Sequence, residues 1–117
     1  MQFPEGLWYL LGDAMGFFYF IGVIKLSSSP SSWFVYILRC RDNSLYTGIT
    51  TNLHQRLQEH NFSLKGAKYT RGRRPVSMVY AKQHPSRSAA SSREYEIKQL
   101  TKTDKELLIE NSDFPDI

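Results

Sequence analysis

Eight consecutive residues, Trp33-Phe-Val-Tyr-Ile-Leu-Arg-Cys40, are almost all aromatic, β-branched or aliphatic, and four turn formers separate them from a second run, Leu45-Tyr-Thr-Gly-Ile49. Residues of this kind favour extended backbone because their side chains pack well on a pleated surface. Arg41-Asp42-Asn43-Ser44 supplies the reversal between the runs, so they are expected to pair as a hairpin.

The residues beyond the hairpin fix the rest of the order. Asn52 stands where a helix N-cap belongs, with Gln55 three residues on as its capping-box partner, and opens a helix that runs to about Asn61. Leu53 and Leu57, four apart, form its apolar face. Residues 62–74 read as a basic loop closed by Pro75, and Val76 to Ala81 alternate as a third strand. Ser86 to Leu100 places Ala89, Ala90, Arg93, Ile97 and Leu100 on one stripe of a second long helix. The expected fold is therefore α/β, of the α+β kind: a small three-stranded sheet flanked by helices, in the order β-β-α-β-α, with short connections and no internal repeat.

Residues 1–32 differ in kind from the rest. Leu7 to Leu26 is nearly all apolar and aromatic, interrupted by Gly12, Asp13, Gly16 and Gly22, and the Ser/Pro run from Ser27 to Ser32 reads as a linker with nothing to bury. The expected division is an apolar N-terminal extension with its linker (1–32), a folded domain (33–103) and an acidic C-terminal tail (104–117). About 20 apolar residues would span a bilayer, but an aspartate and three glycines weaken that reading of 7–26. Membrane contact through this segment stands beside two alternatives, a segment packed on the domain and an extension without function that begins upstream of the true domain. Residues 1–6 carry no positive charge and no small-residue cleavage site precedes the linker, which argues against a secretory signal.

Charge is distributed unevenly. Trp33 to Arg93 holds eleven Lys and Arg against Asp42 and Glu59, a balance of +9, whereas from Glu94 onward three Lys face seven acids, a balance of −4. A basic body with an acidic end suits a polyanionic partner. Cys40 is the single cysteine, so neither an internal disulfide nor a cysteine-built zinc site is available, and a small buried hydrophobe in a reducing, cytoplasmic setting is expected.

The residues with chemical potential are Tyr36, Tyr46, Arg56, His60 and Glu94. Tyr36 and Tyr46 lie ten apart across the hairpin and can occupy neighbouring strands, while His60 follows Arg56 by one turn on the same helix face. Val35-Tyr36-Ile37, then Tyr46-Thr47-Gly48, then Arg56 within Asn-Leu-His-Gln-Arg-Leu-Gln-Glu-His-Asn, then Glu94 in a later helix, resemble the GIY-YIG nuclease family, above all its small single-domain members. The resemblance covers roughly residues 33–103.

The resemblance implies an endonuclease that hydrolyses phosphodiester bonds in DNA with the help of Mg²⁺ or Mn²⁺ and needs no organic cofactor, RNA remaining open as a substrate. It implies that Glu94 binds the metal, that Arg56 grips the scissile phosphate through its fork of donors, that Tyr36 activates water with Tyr46 positioning it, and that His60 relays a proton or holds phosphate. Lys68, Tyr69, Arg71, Arg73 and Arg74 are the expected nucleic-acid surface, Tyr69 by stacking on a base. Gly48 is expected to let phosphate or the first helix approach the strand.

Several relatives carry lysine directly after the second motif, where this chain has Ile49. Ordinary explanations stand beside each assignment: Glu94 and Lys98 have the spacing of a helix ion pair, and strand tyrosines commonly serve a core. With no separate DNA-reading motif visible, low sequence specificity, structure selectivity and a role in DNA repair or processing are expected. Two rivals come from other classes, a binding module that grips nucleic acid without cutting it and a membrane adaptor organised by residues 7–26.

Overall fold

The computed structural model describes residues 32–114. The apolar segment at 7–26, with the membrane and linker expectations attached to it, lies outside the described residues, as do residues 115–117. Among the described residues no helix is long and apolar enough to cross a membrane.

The elements are β1 (Trp33–Arg39), β2 (Leu45–Thr50), α1 (Leu53–Phe62), the single turn α2 (Lys68–Arg71), β3 (Ser77–His84), α3 (Arg87–Lys98) and α4 (Lys102–Glu110). The three strands form one antiparallel sheet in the order β2-β1-β3, with Tyr36 opposite Gly48 and Ala81, and Leu38 opposite Tyr46. The expected β-β-α-β-α order is present.

The hairpin turns as its residues dictate. The Asp42 carboxylate accepts from Ser44 N at 3.0 Å and from the Ser44 hydroxyl at 2.6 Å, and Asn43 takes a left-handed φ of 69° that asparagine tolerates better than most residues. Central β1 is then buried on both faces, and its side chains divide by parity. Val35 and Ile37 join Val79, Tyr80, Ala90 and Ile97 in one cluster, with Leu108 and Ile109 against it. Tyr36 and Leu38 join Cys40, Val76 and Met78 in the other, with Leu53 and Leu57 against it. α3 and α4 therefore cover one face and α1 the other. A bulge on β3, where Ile37 pairs with Tyr80 but Leu38 with Met78, brings Val79 and Tyr80 together into the first cluster.

Two differences from the expected layout have clear causes. Residues 104–110, read as part of an acidic tail, belong to helix α4: the Thr101 hydroxyl caps it by accepting from Asp104 N at 3.1 Å, and Leu108 and Ile109 give it an apolar side that packs on the core. The Arg39 guanidinium also grips both Glu106 oxygens at 2.7 Å, tying α4 to the end of β1. The capping box of α1 is only half formed. Asn52 Oδ1 accepts from Gln55 N at 3.0 Å, but the Gln55 side chain turns to Glu59 at 3.1 Å instead of reaching back.

Candidate functional site

Tyr36 and Tyr46 lie on the same face of the sheet, because Tyr46 sits two residues along β2 from Gly48, the partner of Tyr36. The Tyr36 ring crosses directly over Gly48. A Cβ there would lie 2.5 Å from the Tyr36 hydroxyl, so the glycine makes room for this ring rather than for phosphate or α1.

Helix α1 brings Arg56 and His60 to the same point. His60 is fully buried and its Nε2 lies 2.8 Å from the Tyr36 hydroxyl, while Arg56 Nε donates to that hydroxyl at 3.3 Å. The other ring nitrogen, Nδ1, lies 2.8 Å from the Thr70 hydroxyl, which donates its one hydrogen to the Ala67 carbonyl at 3.0 Å. With that hydrogen on Ala67, Thr70 accepts from His60, an assignment in which Nδ1 carries the proton and Nε2 accepts from Tyr36. A directed chain results, Tyr36 O–H to His60, His60 N–H to Thr70, Thr70 O–H to Ala67.

The electrostatics agree with a neutral chain. Burial pushes the Tyr36 phenol up to about 12, against the opposing hydrogen bond and charge of Arg56. Burial, assisted by the Arg56 cation, pushes His60 down to about 4. Arg56 itself is braced by Glu59 at 2.8 Å and by the Lys65 carbonyl at 2.9 Å, both through Nη1, which leaves Nη2 without a hydrogen-bond partner among the described residues.

Glu94 rises from α3. Its side chain is 22% exposed, it pairs with Lys98 at 3.2 Å, and its charge contributes to raising Tyr36. Among the described residues no three His, Cys, Asp or Glu cluster in a way that could hold a metal. A cation held by the single carboxylate of Glu94 would have to be a hard one that keeps most of its water, as Mg²⁺ does.

The basic loop behaves less uniformly than its composition suggests. Lys68 and Arg71 are exposed. Tyr69 stacks with Tyr46 at 6.0 Å between ring centres, and Arg73 lies over the Tyr69 ring at 3.9 Å while pairing with Asp42 at 3.1 Å. Tyr46 in turn meets His60 edge-on at 5.3 Å. Arg74 turns inward to the C-terminal end of α1, donating to the carbonyls of His60 at 2.5 Å, Glu59 at 3.4 Å and Ser63, where a cation complements the helix dipole. Its donors serve the fold, unlike those of Arg71.

Sequence reasoning missed Thr70, Glu59 and Gly66. Thr70 acts at the site only because the loop folds into α2 beneath α1, and Gly66 permits that approach: a Cβ there would lie 2.8 Å from the Glu59 carbonyl. No spacing rule marks either. Ile49 sits opposite Val35 and packs with the aliphatic cluster, so this side chain belongs to the core and not to the tyrosine face.

Two tyrosines on adjacent strands and an arginine and histidine one helical turn apart are brought together, and a glutamate from the next long helix acts on Tyr36 through its charge. The GIY-YIG catalytic domain family model matches residues 32–107, and the chain belongs to that family, whose domain is of nuclease type. Among its relatives is the UPF0213 protein DP2720 of Desulfotalea psychrophila, 57% identical over 82 residues that make up 70% of this chain and 74% of that protein. The UPF0213 protein OB0043 of Oceanobacillus iheyensis is 57% identical over 77 residues, 66% of this chain and 88% of that one. The solution NMR structure of EF2693 from E. faecalis is similar at 39% identity and a TM-score of 0.50, covering 71% of this chain and 88% of that chain.

Proposed function

We propose that this chain is a divalent-metal-dependent endonuclease that hydrolyses phosphodiester bonds in DNA, with low sequence specificity, selecting substrates by structure and acting in DNA repair or processing. The observation that carries the reading is the Tyr36 hydroxyl, held between a donor, Arg56 Nε at 3.3 Å, and an acceptor, His60 Nε2 at 2.8 Å.

In this mechanism Arg56 holds the scissile phosphate through Nη2 and balances the charge that develops on it. An attacking water bonds to phosphorus and passes its proton to the Tyr36 oxygen as the phenol's own proton moves to His60 Nε2, so the hydroxyl is a relay and never a free phenolate. The P–O bond to the leaving oxygen breaks, that oxygen takes a proton from solvent, and His60, a weak base near 4, returns its proton to bulk water. A phenol near 12 is almost wholly protonated at neutral pH, so Tyr36 enters the reaction as a hydroxyl and not as a standing base. Tyr46 keeps the His60 ring in place from its edge. Glu94 holds the divalent ion, which when bound supplies Lewis-acid stabilisation of phosphate charge. Lys68 and Arg71 contact the backbone of the nucleic acid, and Tyr69, Arg73 and Arg74 hold the loop that presents them.

A second reading, a module that grips nucleic acid without cutting, is favoured by the Glu94–Lys98 pair at 3.2 Å, which gives the carboxylate a partner without any metal. The full chain, incubated with single-stranded, duplex, flapped and four-way DNAs and matching RNAs in Mg²⁺, Mn²⁺ or EDTA, separates the two. Cleavage that needs the metal and falls at least about 100-fold in Glu94→Gln is expected, equivalent to about 2.7 kcal/mol of barrier. Tight binding with no cleavage of any member would establish the non-cutting module instead.

A further inference from the structure

Beside the tyrosines lies an open hollow of about 240 Å³ lined by Leu45, Tyr46, Thr47, Tyr69, Lys98 and Lys105. The proposed mechanism uses two of the hollow's lining residues, Tyr46 beside His60 and Tyr69 in holding the basic loop. Its two lysines come from α3 and α4, elements that the charge distribution along the chain assigns to the acidic end. Folding reverses that impression locally: no carboxylate lines the hollow, and the acid nearest in bonding terms, Glu94, is neutralised by Lys98 itself at 3.2 Å. Lys105, which also lines the hollow, makes no ion pair among the described residues.

Lys98 is shared with Glu94 while Lys105 is in no ion pair among the described residues, so the hollow keeps a net positive charge that an anion would offset. The remaining walls suit the rest of a nucleotide: Leu45 is apolar, and Tyr46 and Tyr69 are already stacked as a small aromatic wall at 6.0 Å. Cations beside aromatic rings are the combination by which proteins hold single-stranded nucleic acid without reading its sequence.

We infer that this hollow is the subsite for the nucleotide adjoining the scissile phosphate, with Lys98 and Lys105 holding its phosphate and the Tyr46–Tyr69 wall bearing on its sugar and base. The inference rests on the nuclease reading and extends it, since it carries the bound strand past Tyr46 onto the α3–α4 side of the site. A nucleotide enters such a hollow only from an unpaired strand, so the subsite favours frayed, flapped or single-stranded substrate over intact duplex.

The test is binding of the full-length protein to a fluorescent ten-nucleotide oligothymidylate in EDTA, followed by anisotropy over a salt series, so that the cleavage step contributes nothing. Lys98→Gln/Lys105→Gln should weaken binding about tenfold. Its slope of log affinity against log salt should be shallower by about 1.4, at about 0.7 for each single-strand phosphate no longer neutralised. Lys105→Gln alone, which leaves the Glu94–Lys98 pair intact, should show about half the slope change, and Lys82→Gln on β3 should show none. Circular dichroism confirms that each variant is folded. If wild type binds with a steep salt slope and the double variant keeps both affinity and slope, the subsite is overturned while the nuclease reading stands. If wild type shows no salt-dependent binding to the oligothymidylate in EDTA, the subsite is overturned, and metal-dependent cleavage of the DNA panel decides the nuclease reading separately.

Discussion

The two faces of the sheet are built from alternate residues of the same strand and do opposite things. Val35 and Ile37 look toward α3 and α4 into an aliphatic cluster with Ala90 and Ile97. Their neighbours Tyr36 and Leu38 look the other way, where α1 places a fully buried histidine and an arginine, and α2 a buried threonine, among the apolar groups. Burial on the first face stabilises by removing hydrocarbon from water. On the second it imposes a cost that is offset only because each polar atom of the Tyr36–His60–Thr70 chain has a partner. One face holds the fold, and the other gives up part of that stability to fix a proton's position.

Substitutions that separate the faces should separate stability from chemistry. The largest effect expected is from Ile97→Ala, which removes a fully buried side chain from the aliphatic cluster and should cost about 2–5 kcal/mol in denaturant unfolding. Its cleavage rate, measured well below the new melting temperature, should stay near wild type. A matching collapse of cleavage in the folded variant would show that the faces are coupled.

Tyr36→Phe should do the reverse. Removing one oxygen should lower cleavage by at least about 100-fold, or about 2.7 kcal/mol of barrier, with a stability loss of about 1–3 kcal/mol from leaving His60 Nε2 buried and unpaired. Cleavage at the wild-type rate would remove Tyr36 from the reaction.

Within the basic loop the comparison sharpens between neighbours. Arg74→Met should destabilise by about 1–2 kcal/mol, since three carbonyls at the end of α1 lose their cation, yet leave the salt slope of DNA binding unchanged. Arg71→Ala should leave stability alone and flatten that slope by about 0.9 on duplex. Exchanged results would mean that Arg74 reaches the nucleic acid.

The smallest effect concerns the Arg39–Glu106 fork. The fork holds the Glu106 carboxyl down at about 2, below its ordinary 4.5, so the pair contributes stability that is present above about 4.5 and is lost as pH falls through about 2. With the side chains about a third exposed, solvent screening keeps the contribution below about 1 kcal/mol. Glu106→Gln should therefore lower the melting temperature by a few degrees at pH 7, with the difference shrinking below pH 4.5 and vanishing only well below pH 2. A difference independent of pH would point to packing instead of charge.

Much of the sheet and of the tyrosine–arginine–histidine group was legible in the sequence, because it depends on period-2 alternation, a capping pair and one helical turn. The parts that were not legible depend on tertiary approach. Thr70, Arg74 and Gly66 belong to a loop that looked uniformly basic, and only its fold beneath α1 makes one a hydrogen-bond acceptor for His60, one a helix cap and one an obligatory gap. α4 was hidden by its acidic composition, although Thr101 with Asp104 is a recognisable cap and Leu107-Leu108-Ile109 has no reason to sit in a solvated tail. Glu94 was found by its place in a motif order, since its spacing to Lys98 is equally that of a plain ion pair.

Whether the α1 face holds a neutral histidine with a fixed tautomer, as the acceptor for Tyr36, can be read directly from the ¹⁵N resonances of His60 over pH. The expected result is Nδ1 protonated, Nε2 unprotonated and no titration until the pH approaches about 4. A histidine that titrates near 6.5, or one that carries its proton on Nε2, would contradict the directed chain from Tyr36 to Ala67.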